Sequence, residues 1–206
     1  MTAASEGTVR LAGGDTITIR PIEPEDKPLL LDAFERLSQR SRERRFLTPA
    51  TELSAEDLRY LTEVDHRRHE ALVAIEPEHG RIVGVARYVQ VPGEREVAEV
   101  AVVVADDWQR RGVATGLLMA LSRRARENGV LRYRAYVSSD NEVVIDALAR
   151  YGAERKDGDG PEELEFNVDV PTEDLGERLG TALRAAAAGQ LRAAARMARR
   201  VGVWPR

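Results

Sequence analysis

The sequence contains no cysteine among its 206 residues. This excludes a disulfide framework, a thiol nucleophile and a thiolate metal site. No apolar run approaches the roughly 20 residues needed to cross a bilayer. The first 14 residues lack the basic-then-apolar pattern of an export signal. No membrane partner is therefore expected, and the cytoplasm is the expected compartment. A basic body is missing too. The net charge is −4, yet from Pro171 onward seven arginines face only Glu173, Asp174 and Glu177, so residues 1–170 carry −8. Nucleic-acid binding usually needs a basic face and is not expected. An acidic body suits a cationic substrate, although acidic soluble proteins are common.

What is present suits a packed core: 43% of residues are apolar and 32% charged. The expected organisation is a flexible N-terminus over 1–14, an α/β domain over 15–170, and a basic amphipathic helical tail over 171–206. Thr16 to Arg20 alternates as a half-buried strand, ended by Pro21 and Pro24. Leu29 to Leu37 reads as a helix with Leu30, Phe34 and Leu37 on one face. Residues 38–48 are arginine-rich and read as irregular. Ser54 and Asp57 form a capping box opening a short helix. Ala71 to Ile75 and Ile82 to Val91 make a hairpin. Val97 to Val104, rich in valine, reads as a strand buried on both faces. A helix follows over Val113 to Glu127, then a strand over Leu131 to Val137 and a helix over Glu142 to Tyr151. Gly158 to Gly160 turn the chain into a last strand, Leu164 to Val168. This order implies a mixed sheet with a central parallel pair. In the tail, Leu175, Leu179, Leu183, Ala187 and Leu191 recur every four residues, giving a surface or partner-binding helix that could serve homodimer or partner contact.

The chemistry concentrates between the valine strand and its helix, at Gln109-Arg110-Arg111-Gly112-Val113-Ala114-Thr115. The first amides of a helix lack internal partners, and the dipole adds positive charge there. A glycine allows close approach, so the turn suits a pyrophosphate. An ordinary strand-to-helix turn with surface arginines is the competing reading. A Walker loop would need Gly-Lys-Ser/Thr, and a dinucleotide turn a third glycine where Leu117 stands.

In this setting Gln-x-x-Gly-x-Ala resembles the acetyl-CoA signature of the GNAT superfamily of N-acetyltransferases, from about Asp15 to Asp169. Ile19-Arg20-Pro21-Ile22, Arg45-Phe46-Leu47, His69 to Ala74, Ile82 to Tyr88 and Ala98 to Val104 are similar to bacterial protein lysine acetyltransferases. The resemblance implies the GNAT acyl-CoA N-acyltransferase fold. It implies an acetyl-CoA cosubstrate whose pantetheine arm pairs with backbone at Val102, Val103 and Val104, between two splayed parallel strands. The pyrophosphate would then rest on amides of Arg110 to Thr115. Asn141 matches a family asparagine that reaches the cofactor, although a helix cap would equally explain it. In that family the domain is often fused to a cyclic-nucleotide sensor or a synthetase-like domain. Neither is expected here.

Glu99 is the one ionisable residue in its apolar strand and matches the family's proposed base. The alternative is that it faces solvent at a bulge or pairs with an arginine. His69 is a second candidate, and with Asp65 it is expected to line the acceptor side. His66 and His69 lack a third ligand at suitable spacing, so no metal is expected. His79 lies in a turn and has no expected role. Many members of the family place a tyrosine, as general acid, where this chain has Leu148, and Tyr151 would point elsewhere. Three readings follow: acetyl transfer to a protein lysine, acetyl transfer to a small amine, or a non-catalytic acetyl-CoA-binding regulator.

Overall fold

The computed structural model describes residues 7–11, 14–37, 52–139, 141–150, 152–160 and 163–171. The expected tail helix, the irregular arginine-rich segment with Arg45-Phe46-Leu47, and Tyr151 lie outside the described residues.

Eight strands form one mixed sheet: β1 (Gly7–Arg10), β2 (Thr16–Pro21), β3 (His69–Ile75), β4 (Ile82–Val91), β5 (Glu94–Val104), β6 (Arg132–Ser138), β7 (Glu154–Gly160) and β8 (Glu163–Asp169). Their spatial order is β1-β2-β3-β4-β5-β6-β8-β7. Among the described residues β5 and β6 are the one parallel pair. Parallel neighbours need a long crossover, and the helix between these two strands supplies it.

Among the described residues the α-helices are α1 (Lys27–Glu35), α2 (Ala55–Thr62), α3 (Val113–Glu127) and α4 (Glu142–Arg150). They cover the two faces of the sheet, and strand alternation decides which residue meets which. Leu72, Ala86, Tyr88, Val100, Val102 and Val104 pack with Leu117 and Leu121 of α3 and Val144 and Leu148 of α4. Ala71, Val73, Val85 and Val103 point the other way, against Leu30 and Phe34 of α1 and Leu61 of α2. Each buried leucine contributes roughly 1.5–3 kcal/mol. The helix α3 lies so close to β4 that a Cβ on Gly84 would stand 2.9 Å from Leu117 Cδ1 and 3.0 Å from Val113 Cγ1.

Two polar devices fix the layers. Ser54 caps α2: its Oγ accepts from Asp57 N at 3.1 Å, and Asp57 Oδ2 accepts from Ser54 N at 2.8 Å. Glu70 is fully buried on the α3 side, where a lone charge would be costly. It accepts from Arg124 Nη1 at 2.8 Å, His66 Nδ1 at 2.7 Å and Ala71 N at 2.9 Å, joining α3 to the start of β3.

The structure departs from expectation at both ends of the sheet. Residues 7–10, expected to be flexible, form β1, which pairs with β2 from Gly7↔Ile19 to Arg10↔Thr16. Leu11, just beyond, is buried in the core and anchors them. At the other edge, β7 runs through the glycines expected to turn, with an irregular register between Lys156 and Gly160.

Candidate active site

The turn between β5 and α3 is built from a short 3-10 segment, Asp106–Trp108, followed by two left-handed residues. Arg110 has φ 60° and Gly112, the N-cap of α3, has φ 97°. The glycine is required by this φ rather than by space, since its Cβ would meet only Leu11 Cδ2, at 3.9 Å. Among the described residues no side chain caps α3, and the first helical bond is Gly116 N to Gly112 O at 3.0 Å. The amides of Val113, Ala114 and Thr115 thus precede the helical ladder and are available to an anion.

The side chains around the turn have separate tasks. Gln109 folds back, its Nε2 donating to Asp106 Oδ1 at 2.9 Å and to Val104 O at 3.4 Å. Arg111 lies 4.0 Å over the Trp108 ring, and its Nε donates to Asp15 Oδ2 at 2.8 Å. It therefore ties the turn to the approach to β2 instead of offering free charge at the rim. Arg110 is exposed and remains the rim cation.

The parallel pairing of β5 and β6 covers only three positions: Val97↔Arg132, Ala98↔Tyr133 and Glu99↔Arg134. Among the described residues, past Glu99 β5 continues to Val104 paired with β4 alone, and β6 continues to Ser138 paired with β8 alone. Between the parted strands lies a backbone edge at Val102, Val103 and Val104 that a bound chain could occupy. Glu99 stands where the two strands part, 4% exposed. The separation along β5 from Glu99 to Val104 is roughly 16 Å by strand rise. Arg134, opposite Glu99, pairs with Glu94 at 3.2 Å and Glu165 at 3.4 Å.

The helix α4 begins where β6 ends, at the same edge of the sheet as the start of α3. Asn141, 4% exposed, sits at its N-terminus, with Oδ1 3.5 Å from Val144 N and its backbone O accepting from Val144 and Ile145, both at 3.1 Å. These contacts are those of a helix cap. Leu148 is buried in the α3–α4 core, far from acid–base work.

His69 lies in one cross-strand row with Val89 and Glu99, two strands and about 10 Å from the carboxylate. Its Nε2 is 3.2 Å from Arg87 Nη1. A guanidinium only donates, so Nε2 accepts and its lone pair is engaged. Burial, reinforced by the Arg87 charge, pushes the imidazole down to about 3. His69 is thus a neutral acceptor for Arg87 rather than a proton carrier. Asp65 is a turn staple. Its Oδ1 accepts from the backbone N–H of Arg67, Arg68 and His69 at 2.8–2.9 Å. Burial would raise its carboxyl, but those three donors hold it below the usual range. His79 sits with Glu76 and Glu78, and these three could jointly reach a metal ion. Glu76 already accepts from Arg81 Nε at 2.8 Å, so that cluster is substantially neutralised.

Two side chains not singled out by the sequence belong to this region. Arg87, alternating into the apolar β4, is 1% exposed and donates to His69 and, through Nη2, to Leu61 O at 3.1 Å. Burial lowers it to about 10, so it stays charged at neutral pH. Tyr60 of α2 packs on His69 with ring centroids 5.0 Å apart. The logic that isolates Glu99 in β5, one charge in an apolar strand, would have isolated Arg87 in β4.

The model of the acetyltransferase (GNAT) family matches residues 31–153. The chain belongs to this family. It is accordingly an acetyltransferase of the GNAT type. Acetyltransferase Pat of Mycolicibacterium smegmatis is 34% identical over 145 residues, which are 70% of this chain and 43% of that protein. The match therefore spans less than half the length of that relative. An acetyltransferase of Pseudomonas aeruginosa is 33% identical over 144 residues, covering 69% of this chain and 77% of its own length. Among solved structures, the GNAT domain of S. lividans PAT aligns with a TM-score of 0.73 at 30% identity. That alignment covers 82% of this chain and 99% of the domain.

Proposed function

We propose that this GNAT acetyltransferase moves the acetyl group of acetyl-CoA to an amine, most readily a protein lysine side chain, with Glu99 as general base. The observation that supports this most strongly is the coincidence on one strand of three features. They are a buried carboxylate where β5 and β6 part, an unpaired backbone edge beyond it, and an uncapped helix N-terminus at its end.

These residues fit the cofactor. The amides at Val113 to Thr115, with Arg110 at the rim, suit the pyrophosphate. The β5 edge at Val102 to Val104 suits the amide-bearing pantetheine arm, and Asn141 closes the same edge from the β6 side. Acetyl-CoA supplies an acyl group on a thioester that an amine can displace. A lysine amine has a pKa near 10.4, so little is neutral at physiological pH. Glu99 would take the proton released as the C–N bond forms, directly or through water. Thiolate is an acceptable leaving group, so the absence of a tyrosine at Leu148 leaves a workable reaction. The resemblance to bacterial protein lysine acetyltransferases favours a lysine acceptor. The charge of −8 over residues 1–170 also suits a cationic one.

The test is thiol release from acetyl-CoA with lysine-containing proteins, followed by mapping of acetylated lysines after incubation with cell lysate. Amine-dependent release with discrete acetylated lysines is expected. Turnover confined to small polyamines would move the acceptor away from proteins. Tight binding with no turnover on any amine would make the chain an acetyl-CoA-binding regulator.

A further inference from the structure

Glu99 does not face the acceptor side alone. The helix α2 crosses that face of the sheet, fixed at its start by the Ser54–Asp57 box. It carries Tyr60 over β3 and β4, where the ring meets His69. The Tyr60 hydroxyl is buried and has no hydrogen-bond partner among the described residues. The same holds for Arg87 Nε. Burial pushes the Tyr60 hydroxyl up, and the Arg87 charge offsets part of that. A buried hydroxyl without a partner costs roughly 1–3 kcal/mol and needs an explanation.

We propose that Tyr60 is a further catalytic residue, whose hydroxyl oxygen accepts a hydrogen bond from the attacking amine beside Glu99. This rests on the acetyl-transfer reading above. Three observations carry it. The hydroxyl is on the face of the sheet away from α3, whose N-terminus holds the proposed cofactor cradle. A capped helix keeps it on the same face of the sheet as Glu99, with its ring on His69, which shares a cross-strand row with Glu99. It makes no contact that the fold needs. Among the polar groups near Glu99, His69 has its lone pair engaged and Arg87 can only donate. Tyr60 is a neutral group on this face that can accept an N–H from an amine. The nearby guanidinium also disfavours a second positive charge, and so favours the amine in its neutral, attacking form. In the step itself the C–N bond forms as the C–S bond breaks. One amine proton passes to Glu99, the sulfur leaves as thiolate, and Tyr60 keeps its own proton.

Tyr60→Phe removes the oxygen and leaves the ring on His69. Because the hydroxyl makes no hydrogen bond among the described residues, the thermal midpoint should stay within about 1 °C of the parent or rise. Calorimetry should give an unchanged affinity for acetyl-CoA. The acceptor kcat/KM should fall roughly 10- to 100-fold, the worth of a lost hydrogen bond to a charged or reacting group. A kcat/KM within twofold of the parent would overturn the inference. A parent that turns over no amine would instead defeat the acetyl-transfer reading, so the two failures are distinguishable.

Discussion

Arg87 donates one of its N–H groups to His69 Nε2, 3.2 Å away, and thereby removes the one basic nitrogen that could have competed with Glu99. With its imidazole held down to about 3, against 6.5 when unfolded, His69 is neutral throughout the working range.

This has a signature in stability. Between pH 6.5 and 3 the unfolded chain protonates this histidine and the folded chain does not. Stability is therefore complete above pH 6.5 and is lost as pH falls, by at most roughly 1.4 kcal/mol per pH unit. His69→Gln offers Arg87 a carbonyl oxygen instead. Urea unfolding at pH 7, 6 and 5 should show a shallower loss in the variant than in the parent. Turnover should change less than about tenfold, with the same acid limb. A lost acid limb in His69→Gln would make His69 the base.

Gly112 is held at φ 97° with open space around it. Gly112→Ala should cost about 1–2 kcal/mol from the left-handed backbone alone. Gly112→Asp adds an anion over the free amides of α3 and should weaken acetyl-CoA binding at least tenfold beyond Gly112→Ala. Undiminished affinity by calorimetry would displace the pyrophosphate from this turn.

Arg110 and Arg111 are adjacent in sequence but divided in task. Arg111→Ala should lower stability by about 1 kcal/mol, through loss of the Trp108 stacking and the partly exposed Asp15 pair. Arg110→Gly should stabilise the fold by about 1 kcal/mol, because it relieves a left-handed non-glycine residue. It should also weaken coenzyme A binding severalfold, most clearly at low salt. The reverse pattern, with affinity tracking Arg111, would contradict the division.

Legibility in the sequence followed the range of the interactions. The helix Val113–Glu127 was readable because its stripe, Leu117, Leu118, Leu121 and Ala125, follows a glycine and ends at Asn128. Glu99 was readable because a single charge interrupts valines. β1 was not, since four residues between glycines carry too little pattern, and only pairing with Ile17 and Ile19 orders them. The task of Arg111 was hidden because Asp15 is 96 residues away. Tyr60, His69 and Arg87 come from three elements, and only the crossing of α2 over the sheet brings them together. Arg87 was concealed for a different reason, since a lone arginine in a strand looks the same in sequence whether it faces solvent or is buried, as it is here.

Glu99→Gln is the most direct test of the central claim, because it keeps the shape and the hydrogen-bonding capacity of the side chain while removing its basicity. Acetyl-CoA affinity by calorimetry should stay within about twofold, while steady-state thiol release with amine should fall roughly 100-fold or more. Turnover equal to the parent at saturating amine would contradict a base at the parting of β5 and β6.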